Sequence, residues 1–214
     1  ASARADAGAV LEMTDPSEPP AGSEALRYGS RRQALIDAMI RVTARDGLRK
    51  VTYRSVAAEA GVSHGLLFYH FSSLDTLILE AFDDCIQHSM RTINFVAEDE
   101  DPTRFADGII YSLNTNPDSM EYQYQVLLES RRNSMLTAAV DLMFVRYRRA
   151  VGMGLANMNI VPDSSVSSYV FSIIEGIVLH QHVENNPAIA ESSVQLLRMT
   201  LNTLRQESQK GAST

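Results

Sequence analysis

Between residues 55 and 71 the chain reads SVAAEAGVSHGLLFYHF, and no other stretch limits the fold so tightly. Gly61-Val62-Ser63-His64-Gly65 spells G-x-S-x-G, the nucleophile elbow of serine hydrolases. An elbow needs a strand running into its serine, then a sharp turn and a helix. The residues before Ser63 are alanine-rich, carry Glu59 and are poor in β-branched types, so they read as helix. His64 is adjacent to Ser63 and would point away from its hydroxyl. Patterns for a parallel sheet are missing from the rest of the chain. No catalytic residue is assigned, the chain is not read as an enzyme, and a small serine hydrolase is kept only as the remotest alternative.

The same letters satisfy a different geometry. Two short helices crossing steeply need a small residue at the crossing, a permissive turn residue and inward apolar contacts. Ala57 supplies the first and Gly61 the second, since glycine takes a positive φ at little cost. Val56, Ala60, Val62 and Leu67 supply the third. A preceding helix over about 31–46, with Leu35, Ile36, Met39, Ile40 and Thr43 on one stripe, gives them a floor. Gly47 ends that helix, Thr52 N-caps a second over 53–60, and Ser63 N-caps a third over about 64–70.

Helical patterns fill the remainder, with alternating strand patterns absent. Ser73 opens a long helix running to about 97, which the acidic run Glu98-Asp99-Glu100-Asp101 ends. Pro102, Pro117, Pro162 and Pro187 stand where first-turn prolines belong. They open helices near 102–115, 117–133, 163–184 and 188–208, with another over about 135–157. The reading is an all-α fold of about nine helices. Residues 1–30, with Pro16, Pro19, Pro20 and Gly22, are expected to be a mostly disordered leader. A reader module then covers 31–75 and a body 76–214.

Net charge is −7, which taken alone argues against nucleic acid. Its distribution says otherwise: residues 31–75 carry seven Arg/Lys against four Asp/Glu, a local +3 on an acidic chain. One cysteine, Cys85, permits no internal disulfide and fits a reducing cytoplasm. No apolar run approaches the roughly 20 residues of a membrane span.

The segment TYRSVAAEAGVSHGLLFYHFSSLDTL (52–77), preceded by RRQALIDAMIRVTARDG, resembles the DNA-binding domain of TetR-family transcriptional regulators. LLESRR (127–132) and IIEGIVL (173–179) resemble stretches of their regulatory bodies. The resemblance implies an all-helical homodimer that represses genes by binding double-stranded operator DNA and is released by a small molecule. A helical binding protein with weak or lost DNA affinity is the alternative.

In a helix-turn-helix the N-terminal end of the second helix enters the major groove. That end is Ser63, His64, Gly65 and Leu66. His64 and Tyr69 face outward if Leu67 and Phe71 face the core, which makes them candidate base contacts or plain exposed polarity. Ser63 reads as a cap, Gly65 as a point of close approach, and Arg54 as a backbone or base-edge contact. By the resemblance His70 matches a phosphate-contacting histidine, though it can also pack inward. Leu66 and Leu74 depart from the family, which often has threonine and lysine there. Each lost cationic contact flattens the salt dependence by about 0.9 in log–log slope.

The resemblance, not the composition, implies a ligand pocket in the body. Its candidate wall is Met90, Ile93, Phe105, Ile109, Tyr122, Val126, Met143, Phe144, Tyr147 and Glu175, apolar with tyrosine hydroxyls, which favours a hydrophobic or aromatic effector. By the same resemblance, the helices near 163–184 and 188–208 pair with their copies in a dimer seam, where Gly176 permits close approach. Glu175 reads either as a ligand contact or as a hydrogen-bonded structural carboxylate. His180 and His182 face different sides of a helix and make a poor metal pair, so no metal or cofactor is expected.

Overall fold

A computed structural model of the protein describes residues 21–93, 95, 101–160 and 164–211. Among them are nine α-helices, two 3-10 turns and no strand. The helices are α1 (Ala21–Asp46), α2 (Tyr53–Glu59), α3 (His64–His70), α4 (Leu74–Thr92) and α5 (Ile109–Thr115), followed by α6 (Pro117–Glu129), α7 (Ser134–Asn157), α8 (Ser164–Glu184) and α9 (Pro187–Gly211). The 3-10 turns are Leu48–Lys50 and Pro102–Arg104.

The three largest differences from expectation are at helix boundaries. The first helix starts at Ala21 rather than near residue 31, so residues 21–30 are helix and not leader. Ala21, Glu24, Ala25, Leu26 and Arg27 are strong helix formers, and lengthening an existing helix is far easier than nucleating one. Residues 1–20 of the expected leader and 98–100 of the acidic run lie outside the described residues. The fourth helix stops at Thr92 instead of 97, and the fifth begins at Ile109 instead of 102. Both changes have one cause. The chain after Thr92 turns extended at Ile93 and tucks Ile93 and Phe95 into the core. Two glycines far along the sequence admit it. A Cβ on Gly108 would overlap the Thr92 carbonyl, and one on Gly154 the Phe95 carbonyl.

Local chemistry fixes the N-terminal end. Thr52 and Ser55 form a reciprocal capping box, with Ser55 N–H donating to Thr52 Oγ1 at 3.1 Å and Thr52 N–H to Ser55 Oγ at 3.0 Å. Gly61 takes φ +65° while Val62 N–H donates back to the Ala57 carbonyl at 3.0 Å, which closes α2 in a Schellman turn. A Cβ at Gly61 would meet nothing within 4 Å, so the backbone angle is what requires glycine there. Ser63 Oγ then accepts from Leu66 N–H at 3.3 Å and starts α3. Leu35, Ile36, Met39 and Thr43 of α1 are buried beneath Val56, Ala57 and Leu67, as the stripe predicts, with Ile40 half-buried. Arg41 and Arg45 both bind Glu59 at 2.9 Å and lash α1 to α2.

One core cluster runs without a break from Leu35 to Leu201. The reader end therefore shares its apolar interior with the body instead of hanging from it. α8 and α9 bury one side against the rest and leave Tyr169, Leu179, Val183, Ile189, Leu196 and Met199 exposed. No helix among the described residues is long and apolar enough to cross a membrane.

Candidate DNA-reading face and ligand cleft

The steep turn at Gly61 pushes α3 outward. Ser63, His64, Gly65, Phe68 and Tyr69 are exposed, Tyr69 by 72%, while Leu67 and the following Phe71 anchor the helix inward. His64 does not wave freely. Its ring lies edge-on to Tyr53 at 5.9 Å and to Phe68 at 5.2 Å. Gly65 would accept a Cβ without touching the protein, so the space over it is open to an outside group. Leu66 is half-buried, and its N–H is taken by the Ser63 cap. Arg54 is exposed and makes no ion pair with a described residue. His70 is half-buried. Burial first, then the charges of Arg32 and Arg31, hold its pKa below the ordinary histidine value.

Tyr53, which the pattern of the sequence does not single out, ties three helices together. Its ring stacks on Phe68 of α3 at 4.6 Å, and its hydroxyl accepts the Leu74 N–H at the start of α4 at 2.7 Å. That bond leaves the α4 N-terminus little free donor capacity to stand in for the lysine that the family often has at the Leu74 position. Leu74 N–H is engaged by Tyr53, Thr76 N–H by Ser73 Oγ, and Asp75 adds a negative charge. The basic residues divide likewise: Arg32 binds Glu80 and Arg49 binds Glu129, whereas exposed Arg31, Lys50 and Arg54 make no ion pair with a described residue.

A cleft lies between the C-terminal part of α4, α6, α7 and α8. Four of the expected wall residues line it: Ile93, Met143, Tyr147 and Glu175. The other six do not. Tyr122 is fully buried and donates its hydroxyl to the Ile78 carbonyl at 2.8 Å. Phe105, Ile109 and Val126 are core, Met90 packs on that core half-buried, and Phe144 leans on Phe171 at 6.1 Å. Helical spacing marks buried faces but cannot tell a face on a void from one on a neighbouring side chain. The missed wall residues include Ser89, Gln123, Tyr124 and Phe171. Space open to water inside is about 30 Å³, room for roughly two waters. A ligand of drug size must therefore push the walls apart.

The cleft is polar at one end. Tyr147 hydroxyl donates to Gln123 Oε1 at 3.4 Å, and Gln123 Nε2 donates to Ser89 Oγ at 3.4 Å. Burial pushes the Tyr124 and Tyr147 phenols above their ordinary range, so both stay protonated. Cys85, also buried, is raised by desolvation to about 12 and stays a thiol. Elsewhere on the body, Arg146 binds Asp83. His180 pairs with Glu184 and His182 with Glu121, and among the described residues no three metal-ligating side chains converge.

The body is joined to the reader by hydrogen bonds. The ring of Tyr124, in the cleft wall, lies 5.6 Å from that of His182. His182 Nε2 meets Glu121 Oε2 at 2.8 Å, and Gln125 Nε2 donates to Glu121 Oε1 at 2.7 Å. Gln125 Oε1 then accepts the Leu48 N–H at 2.6 Å, in the turn between α1 and α2. Beside it Arg49 clasps Glu129 at 2.8 and 3.2 Å.

Comparison with known proteins matches this layout. Residues 35–81 fit the profile of bacterial regulatory proteins of the tetR family, and residues 100–203 fit the tetracyclin repressor-like C-terminal domain. The uncharacterized HTH-type transcriptional regulator YerO of Bacillus subtilis (strain 168) is 26% identical over 65% of this chain, a stretch spanning only 55% of that relative's length. The nicotine-responsive transcriptional repressor HdnoR of Paenarthrobacter nicotinovorans is 36% identical over 35% of this chain and 38% of its own. Among solved structures, the multidrug binding protein EbrR complexed with imidazole superposes with a TM-score of 0.61 at 27% identity, covering 80% of this chain and 94% of that one. With a helix-turn-helix at one end and a cleft in the helical body, the chain belongs to the tetR family of bacterial regulatory proteins.

Proposed function

We propose that two copies of this chain bind a near-palindromic operator in the cytoplasm, repress transcription there, and let go when a small molecule occupies the cleft. The observation that carries this reading is the unbroken set of contacts from the cleft wall to the α1–α2 turn, through Tyr124, His182, Glu121, Gln125 and Leu48. A second route runs along α4. One end of it lends Ser89 to the cleft, and the other holds Tyr53, on which Phe68 of α3 rests. A ligand that parts α6 from α4 and α8 moves both routes and changes how α3 is presented.

His64, Tyr69, Phe68 and Gly65 form the face turned to bases, with Ser63 as the cap. Arg31, Lys50 and Arg54 attract phosphate, and His70 meets it as a hydrogen-bonding ring rather than as a charge. The exposed apolar residues of α8 and α9 supply the dimer seam, and Gly176, whose Cβ would meet nothing within 4 Å, leaves room for close approach there. The similarity to a nicotine-responsive repressor and to a multidrug binding protein supports a small organic effector. Coupling between such sites is typically about 1–3 kcal/mol and reciprocal, so operator DNA weakens effector binding by the same factor.

Selection of bound fragments from a random DNA pool tests the reading. The expected product is an inverted repeat whose half-sites are centred about one helical turn, roughly 34–36 Å, or a multiple apart. Enrichment of single half-sites, or of nothing, contradicts it.

A further inference from the structure

Glu175 sits in the middle of α8 with its carboxyl in the cleft wall, and it makes no hydrogen bond or ion pair with any described residue. Among the described residues it is the one charged side chain of that wall, with no lysine, arginine or histidine beside it there. His182, further along the same helix, is committed to Glu121. The Tyr124 hydroxyl, in the same wall, is buried and also without a partner. Burial alone pushes the Glu175 carboxyl up to about 7, the mark of a charge held where nothing in the protein answers it. A structural carboxylate would have found a donor, since unpaired buried charge is among the costliest features a fold can carry.

Aromatic rings line the same cleft. Tyr147 and Phe171 are stacked 5.7 Å apart, and Phe95 meets Tyr147 at 6.0 Å. Ring faces attract cations, and an aromatic cage is a standard receptor for quaternary ammonium groups. Met120 and Met143 complete the wall with side chains that repack easily, which suits a cleft that must open to admit its ligand. The body from 76 to 214 also carries seventeen Asp/Glu against ten Arg/Lys, a field that draws cations and repels anions.

Building on the reading of the cleft as the effector site, we propose that its ligand class is flat organic cations, with the positive charge against Glu175 and Tyr124 and the aromatic body between Tyr147, Phe171 and Phe95. A neutral hydrophobe leaves the carboxylate unanswered, and an anion meets it head on.

The test is fluorescence titration of the full chain, without DNA, with 10-methylacridinium and with acridine, which is neutral at pH 8 and nearly the same shape. The cation is expected to bind about tenfold or more tightly than acridine. Glu175→Gln should erase that preference while leaving acridine within about twofold, and Glu175→Asp should keep part of it. Helical content and melting of each variant confirm that it folds. Equal affinity of the two dyes for the wild type, or a cation preference that survives Glu175→Gln, overturns the charge assignment and leaves the cleft an effector site. Binding of neither dye overturns the effector reading of the cleft and the charge assignment with it.

Discussion

The two working regions of the molecule differ in how they satisfy the polar groups that shape them. At the reader end, the polar groups that set the backbone find partners inside the protein. Thr52 and Ser55 cap each other, Ser63 caps α3, Tyr53 holds Leu74 N–H, and Glu59 binds two arginines. In the cleft, half-buried Glu175 and the buried Tyr124 hydroxyl make no hydrogen bond with a described residue, and the bonds around Gln123 are long. The first region is preorganised to present a fixed face to a large, regular partner. The second holds unmade bonds in reserve, and those are what a ligand can use to part packed helices. A protein that must respond to one molecule by releasing another needs both.

The largest expected effect breaks this comparison at Glu175. Its carboxyl lies at about 7 in the folded chain against an ordinary 4.5, so folding favours the protonated form. The stability gained by keeping it neutral is complete below about pH 4.5 and is lost as pH rises to about 7. At pH 8 the ionised wild type therefore carries a burden of up to about 3 kcal/mol, which Glu175→Gln removes. Melting curves should show the variant several degrees more stable at pH 8 and the advantage fading towards pH 4.5. A variant that melts lower at pH 8 would mean the carboxylate is paired, and the contrast between the regions would fail.

Next in size is Tyr69→Ala, which removes an exposed ring from α3 and touches no core. Operator affinity should fall by about 1–3 kcal/mol with melting unchanged. Fluorescence anisotropy at fixed salt reads the first and calorimetry the second. Gly61→Ala has the converse signature. The turn keeps φ at +65° in open space, so the substitution costs roughly 1–2 kcal/mol of folding through backbone strain alone. Gly61→Asn should restore part of it. Smallest is Gln125→Ala, which takes the acceptor from Leu48 N–H. It should reduce the effector's influence on operator binding by about 1 kcal/mol while leaving each affinity measured alone nearly unchanged. If release is undiminished, the α4 route carries the coupling by itself.

The same contrast explains what was legible in the sequence. The reader end is written locally: Thr52 and Ser55 are three residues apart, Gly61 and Ser63 two, and Leu67 is buried with residues of α1 and α2, the two helices just before it. Its α2 and α3 accordingly fall where the pattern puts them. The cleft is assembled from four helices spread over ninety residues of chain, and its shape depends on where the segment after Thr92 goes. That path is set by Gly108 and Gly154, whose missing side chains admit a distant carbonyl, and helical spacing contains no trace of it. Hence Ile93 was found and Phe95 and Tyr124 were not, while Tyr122, of the same composition class, proved to be bonded core. Glu175 stands out as a charge in an apolar helix, but only the packed structure shows that no described residue pairs with it.

Hydrogen–deuterium exchange of the full chain, with and without a selected operator, tests the central claim most directly. The account predicts slowed exchange concentrated at residues 63–71, with a lesser effect in the turn at 48–50 and none over the outer faces of α8 and α9 beyond the dimer seam. Protection confined to the body, with 63–71 exchanging as fast as in the free protein, would contradict it.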